Sequence, residues 1–172
     1  VADLVAALTK LGALVIGFDV IFPEPDRLSP GVAVAGFRGL DEVTRDKLLA
    51  LPSNDQVFAD VLRRSPVVLG QSGLPFPVNQ SEPEVRPPAG VAALGEDPKP
   101  FLLSFAGLLR NIPVLEDAAS GRGLFTIRTE RDGIVRRVPM VMEAQGEIVP
   151  SLTFDMLRVV TGTDALLIKS EP

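Results

Sequence analysis

The stretch Ala13-Leu14-Val15-Ile16-Gly17-Phe18-Asp19-Val20-Ile21-Phe22-Pro23-Glu24-Pro25 decides the fold. It opens on an uninterrupted apolar run with β-branched residues, carries one carboxylate, Asp19, and is stopped by a Pro-Glu-Pro-Asp segment. An apolar run without alternation, bounded by a turn signal, predicts a strand over 14–20 that is buried on both faces. Asp19 then falls near the C-terminal end of that strand. Ligands bind outside such ends in open α/β sheets, so the core of the fold and the first candidate site coincide.

Upstream, Val1, Leu4, Val5, Leu8 and Leu11 recur at helical spacing and Gly12 stops them, which predicts a helix over 1–12. Downstream, 23–54 is mostly polar and irregular. An edge strand is possible at 32–37, and 40–51 has room for a short helix before Pro52. Ser53 and Gln56 stand at capping-box spacing and open a helix whose apolar face is Val57, Phe58, Val61 and Leu62. Pro66 closes it, and 67–70 reads as a second core strand.

The proline-rich stretch 71–100 is a poor helix and a poor central strand; part of it, 74–78, is a candidate extended segment. Phe101, Leu102, Phe105, Leu108 and Leu109 predict a helix or a tight apolar turn, and 114–119 another short helical piece. Strands at 124–129 and 134–142, joined by Asp132-Gly133, with a second turn at Gln145-Gly146, predict an antiparallel meander. Ser151 caps a last helix that Gly162 ends, and 166–168 is a final strand. The predicted fold is therefore α/β, in an α+β variant. Residues 1–172 form a single domain with a central mixed sheet, helices on both faces, and the meander in the C-terminal half.

The 172 residues suffice for a sizeable core, and 46% of them are apolar. Net charge is −5 with no basic stripe, so no nucleic-acid partner is expected. His, Cys, Trp and Tyr are all absent. That excludes His- or Cys-bound zinc, thiol nucleophiles, His-based triads and disulfides. No run reaches the roughly 18 apolar residues of a membrane span. The chain starts on Val1 and goes directly into a helical pattern, so we expect a piece of a longer protein.

Asp19 is the first candidate site residue. A carboxylate inside an apolar strand needs a partner, and Arg136, Arg137, Arg27 or the free N–H groups of 22–26 could supply one. Asp19 would then be a structural brace or a ligand contact. With Glu24 and Asp26 it makes three carboxylates within eight residues, weak candidates for a hard cation. Asp19 and Glu24 are also the pair that a small carboxylate-based hydrolase would use. Arg136 and Arg137 are adjacent in a predicted strand, so one faces inward, toward Asp19 or an anionic ligand. Gly121-Arg122-Gly123 precedes a strand rather than a helix, so it is no dinucleotide fingerprint. No cofactor is expected. A constitutive protein-docking module is a further alternative, with Phe37, Phe76 and Phe101 as the surface to inspect.

Several of these segments, in one order along the chain, resemble one family. They are Gly12-Ala13 with Ile16 through Pro25; Asn54-Asp55 with Phe58-Ala59; Val67-Val68-Leu69-Gly70; Gly123 with Phe125; Asp132 through Pro139; and Pro150-Ser151-Leu152. Together they resemble a CHASE2 sensory domain over nearly the whole chain. The resemblance implies an extracytoplasmic, periplasmic or cell-surface sensor of a bacterial membrane receptor, flanked by transmembrane helices. It further implies a cytoplasmic output such as a histidine kinase or nucleotide cyclase, and it leaves the stimulus, a small molecule or a protein, open. A homodimer is possible. The fragment itself would not be an enzyme.

Overall fold

The computed structural model describes residues 1–78 and 90–170. The middle of the proline-rich stretch, 79–89, lies outside the described residues.

Helix α1 (Ala2–Lys10) forms where its spacing predicts and ends at Gly12, whose φ of +89° suits glycine. β1 (Ile16–Phe18) follows. α2 (Pro30–Ala33) and a 3-10 turn over 34–36 replace the edge strand considered at 32–37, because Pro30 favours the first turn of a helix. α3 (Glu42–Leu49) is capped by Asp41, which accepts from the Thr44 N–H at 2.9 Å. α4 (Asn54–Leu62) is capped by Ser53, whose Oγ accepts from the Gln56 N–H at 3.1 Å. The Gln56 side chain does not return the bond; it donates to Asp60 instead.

Next come β2 (Val67–Leu74), β3 (Val91–Leu94), β4 (Ser104–Phe105), β5 (Gly107–Leu109) and α5 (Pro113–Glu116). The chain ends with β6 (Gly121–Leu124), β7 (Val141–Ala144), β8 (Glu147–Pro150), α6 (Leu152–Thr161) and β9 (Leu166–Lys169). Ser151 caps α6, and Gly162 leaves it in the left-handed region at φ +63°.

The fold is mixed α/β with a central sheet flanked by helices. β2, not β1, is its central strand. β2 pairs in parallel with β1 on one edge and with β6 on the other. On the β1 edge it then changes partner and runs antiparallel to β5 from Ser72 to Leu74. Two small sheets accompany it, β3–β9 and β4–β7–β8.

Successive residues of β2 point to opposite faces. Val67 and Leu69 join Val5, Phe58, Ala59, Leu62 and Leu115 in a core shared with α1, α4 and α5. Phe18, Phe22 and Phe58 interlock there edge to face, with ring centroids 5.5–6.0 Å apart. α6 covers the opposite face. Close packing there requires glycines in the strands. A Cβ on Gly17 would sit 2.5 Å from Met156, and one on Gly123 would sit 2.6 Å from the backbone of Leu152. The Gly121-Arg122-Gly123 segment is thus itself a strand under a helix, rather than the residues that precede one. A second core of Leu108, Leu124, Met142, Ala144 and Val149 holds the β4–β7–β8 sheet to the first.

Three expectations need correction. The strand at 14–20 shrinks to three residues at an edge, with Leu14 and Val20 exposed. Its apolar run reflects one buried side, Ile16 and Phe18, rather than two. Of the helix or tight apolar turn expected at 101–109, no α-helix forms: a 3-10 turn ending at Phe101 leads into two short strands, because the alternating contacts of Leu103, Phe105 and Leu108 with the second core outweigh helical spacing. The meander keeps its second hairpin, β7–β8 around Gln145-Gly146. The Asp132-Gly133 turn also forms, but 125–140 carries no ladder around it and 127–138 is exposed.

Candidate functional site

The point where β2 changes partner leaves a seam in the sheet. β1 ends at Phe18 opposite Leu69, and β5 pairs only from Ser72. Gln71 faces β6, where its carbonyl accepts from the Phe125 N–H at 3.1 Å, so the group left without a strand partner on the β1 edge is the Gly70 carbonyl, and buried backbone groups need one. Asn111, two residues past the end of β5, fills the seam. Its Nδ2 donates to the Gly70 carbonyl at 3.0 Å, and its Oδ1 accepts from the Phe22 N–H at 2.9 Å. The Phe22 carbonyl in turn accepts from the Ile112 N–H at 2.8 Å. One amide side chain thus ties the loop after β1 to the central strand.

A buried carboxylate lies beside it. Glu116, at the end of α5, is 8% exposed. Its Oε1 accepts from Gln71 Nε2 at 2.6 Å and from the Asn111 N–H at 3.1 Å. Its Oε2 pairs with Arg122 at 3.2 Å. Arg122 is aimed there by strand alternation, since its neighbours Gly121 and Gly123 face α6. Arg110, half-buried, stands at the rim. Burial lowers its pKa from the ordinary arginine value; the Glu116 charge opposes that shift and Arg122 adds to it. Its terminal nitrogen donates to Gln145 at 3.3 Å, and its buried Nε has no hydrogen-bond acceptor among the described residues. Arg122 is thus the guanidinium that pairs with this carboxylate, while Arg110 bonds to the β7–β8 turn. Arrangements of this kind recognise ligands as readily as they brace folds.

A second buried pair closes the α6 face. Asp155, fully buried, accepts from the Arg122 N–H at 2.8 Å and from Arg158 Nε at 2.5 Å. Arg158 also donates to the carbonyls of Ser120 and Thr163. Gly121 makes room for it, because a Cβ there would stand 2.0 Å from the Asp155 carboxylate.

The residues expected to form a site lie elsewhere and are not gathered. Asp19 is exposed, past the end of β1, so it needs no buried partner. Glu24 pairs with Arg27 at 2.8 Å on the surface. Asp26 serves the start of α4: it accepts from Leu28 N–H and from the Asn54 amide, while its own N–H donates to Asp55. These bonds, the first from Leu28 and the second from Asn54, lower its pKa. Arg136 pairs with Asp132 at 2.7 Å and Glu130 at 3.1 Å, not with Asp19, and Arg137 is exposed. No group of three or more acidic side chains among the described residues is placed to hold a metal. Phe37, Phe76 and Phe101 are exposed but sit on separate segments. An apolar groove of about 560 Å³ lies instead along α6, lined by Val15, Val138, Met140, Phe154, Leu157 and Val160.

The model of the CHASE2 domain family matches residues 1–170. The chain belongs to the CHASE2 family. No curated protein and no solved structure matches it. CHASE2 domains are non-catalytic, extracytoplasmic sensor modules of membrane receptors, which removes the hydrolase alternative for Asp19 and Glu24. No helix among the described residues is long and apolar enough to cross a membrane.

The polar groups at the heart of this CHASE2 domain left faint traces in the sequence. Gln71 directly follows the apolar run 67–70, and Arg122 is flanked by two glycines in a strand. Asp155 lies on the apolar side of α6 with Arg158 three residues on. Each trace becomes legible only once its distant partner is known.

Proposed function

We propose that this CHASE2 domain senses a stimulus outside the cytoplasm and biases flanking membrane helices, which pass the bias to a cytoplasmic output such as a histidine kinase or nucleotide cyclase. Residues 1–172 act as one sensing unit. The supporting observation is the linkage at the seam. Asn111 and Ile112 hold Phe22, Phe22 ends the segment that follows β1, and β1 is joined to α1 by the Gly12 turn. α1 itself is lightly held, with Val5 its one buried residue. A rearrangement at Asn111 and Glu116 therefore reaches α1 through a short, continuous path.

Such a device works by population shift: the stimulus favours one of two packings by its differential affinity for them. A disulfide engineered between α1 and α4 tests it, and the chain has no cysteine of its own to interfere. In a receptor carrying this domain, oxidation of the pair freezes output in one state and reduction restores the response. Unchanged signalling under oxidation refutes the lever.

A further inference from the structure

α1 carries a second apolar pattern that its own domain leaves uncovered. Val5 is its one buried residue, set in the core with Phe58, Ala59 and Leu62 of α4. Val1, Leu4, Leu8 and Leu11 form a separate stripe, at the a and d positions of a heptad. Leu8 is half-buried, while Val1, Leu4 and Leu11 are 65%, 59% and 84% exposed. A stripe of a and d residues alone is the narrow seam of a helix pair; a helix packed on a sheet presents a wider face. α1 also stands at one end of its layer, since it packs on α4 and α4 packs on α5.

From this pattern we infer that α1 pairs with the α1 of a second copy, in parallel and in register, along Val1, Leu4, Leu8 and Leu11. Two-fold symmetry brings each seam residue to its own counterpart. Valine at the first a position with leucine at both d positions suits two strands. Charge favours an identical partner. The chain carries −5 overall, but the positions flanking the seam are Val5 and Ala7, and α1 has one acid, Asp3, against one base, Lys10. Identical helices therefore meet there without net repulsion. Area sets the strength: seam side chains that bury roughly 100 Å² each give about 400 Å² per copy, against about 800 Å² per partner in a standard interface. The seam is thus weak between free domains and holds between copies anchored in one membrane, where linkage raises the effective concentration to about millimolar. Such copies share an axis along the membrane normal, and helices that leave the membrane side by side along it run parallel. The inference rests on the sensor function proposed above and names the partner of its lever.

The test is oxidative cysteine crosslinking in a membrane receptor carrying this domain. The domain has no cysteine of its own, and any elsewhere in the receptor are replaced by serine. Leu4→Cys and Leu11→Cys should each form a disulfide-linked dimer about tenfold faster than Ala6→Cys, which lies off the seam. Rates no higher than that of Ala6→Cys overturn the pairing. Leu4→Cys co-expressed with Leu8→Cys measures direction: a mixed crosslink faster than the Leu4→Cys homodimer means antiparallel helices and overturns the parallel register. A Leu4→Cys product whose mass is not twice that of the receptor overturns a second copy as the occupant. Adding Leu11→Glu to Leu4→Cys puts like charges in the seam at an exposed position that the fold does not use, and should slow crosslinking about tenfold; an unchanged rate overturns the seam. Crosslinking as expected that leaves receptor output unchanged upholds the pairing and refutes the lever, so the two proposals fail separately.

Discussion

Asp155→Ala is the most informative perturbation of the scaffold. The wild-type carboxylate is fully buried and takes three hydrogen bonds, at 2.8 Å from the Arg122 N–H and at 2.5 and 3.2 Å from Arg158. Removing it leaves the Arg158 guanidinium buried with only the carbonyls of Ser120 and Thr163, and strands a backbone N–H in the central sheet. Breaking a buried ion pair from one side costs about 3–5 kcal/mol, and an unmet buried donor about 1–3 kcal/mol. The two penalties share atoms and do not add, so the expected loss is about 4 kcal/mol. Domains have only about 5–15 kcal/mol in total.

With a urea dependence of roughly 2 kcal/mol per molar, the unfolding midpoint should fall by about 2 M. Far-UV circular dichroism is the appropriate probe, since the chain has neither Trp nor Tyr to report by fluorescence. Adding Arg158→Met removes the orphaned charge and should recover part of the loss, because an apolar replacement of a whole buried pair is often neutral. A midpoint shift below about 0.5 M, which at that slope is roughly 1 kcal/mol, would refute the reasoning, as would a double variant no more stable than Asp155→Ala.

Four further outcomes follow from contacts of the same kind. Gly123→Ala should cost about 3 kcal/mol in urea unfolding, because its Cβ meets the Leu152 backbone. Gly17→Ala should cost about 1 kcal/mol or less, since it meets only the flexible end of Met156. Ser53→Ala removes the α4 cap and should lower stability by about 1 kcal/mol, with Ser53→Asp restoring it. Asp26 has a folded pKa below the ordinary carboxylate value. The unfolded chain therefore binds more protons between the two values. Its contribution is complete above the unfolded pKa of about 4 and lost as pH falls through the lower folded one. Asp26→Asn should flatten the acid limb of stability against pH; an unaltered limb would show that Leu28 and Asn54 do not hold this carboxylate.

The helices were the most legible part of the chain. α4 and α6 announce themselves by Ser53 and Ser151, and α6 also by Gly162, because caps act on backbone groups within a few residues. The β7–β8 hairpin was equally local, its turn written as Gln145-Gly146. Residues 101–109 stayed open between a helix and a tight turn because a short apolar run has no period of its own; contacts with the core of Met142 and Ala144 made 104–105 and 107–109 strands. Asp19 was misjudged for a related reason. Its neighbours Ile16 and Phe18 are apolar because of Phe58 and Leu69, and the β1 edge turned Asp19 outward to water.

By itself the sequence determined the kinds of elements, their caps, and a family membership spread along nearly the whole chain, all of which depend on adjacent residues or on order along the chain. Only the tertiary structure decided that β2 is central and β1 peripheral. It also decided that β2 exchanges β1 for β5 at Gly70 and Gln71, and that the carboxylates needing partners are Glu116 and Asp155 rather than Asp19. The physical reason is that pairing and burial are properties of segments 40 or more residues apart, such as Gln71 and Glu116. Periodicity shows which side of an element is apolar, but it carries no information about which element will cover it.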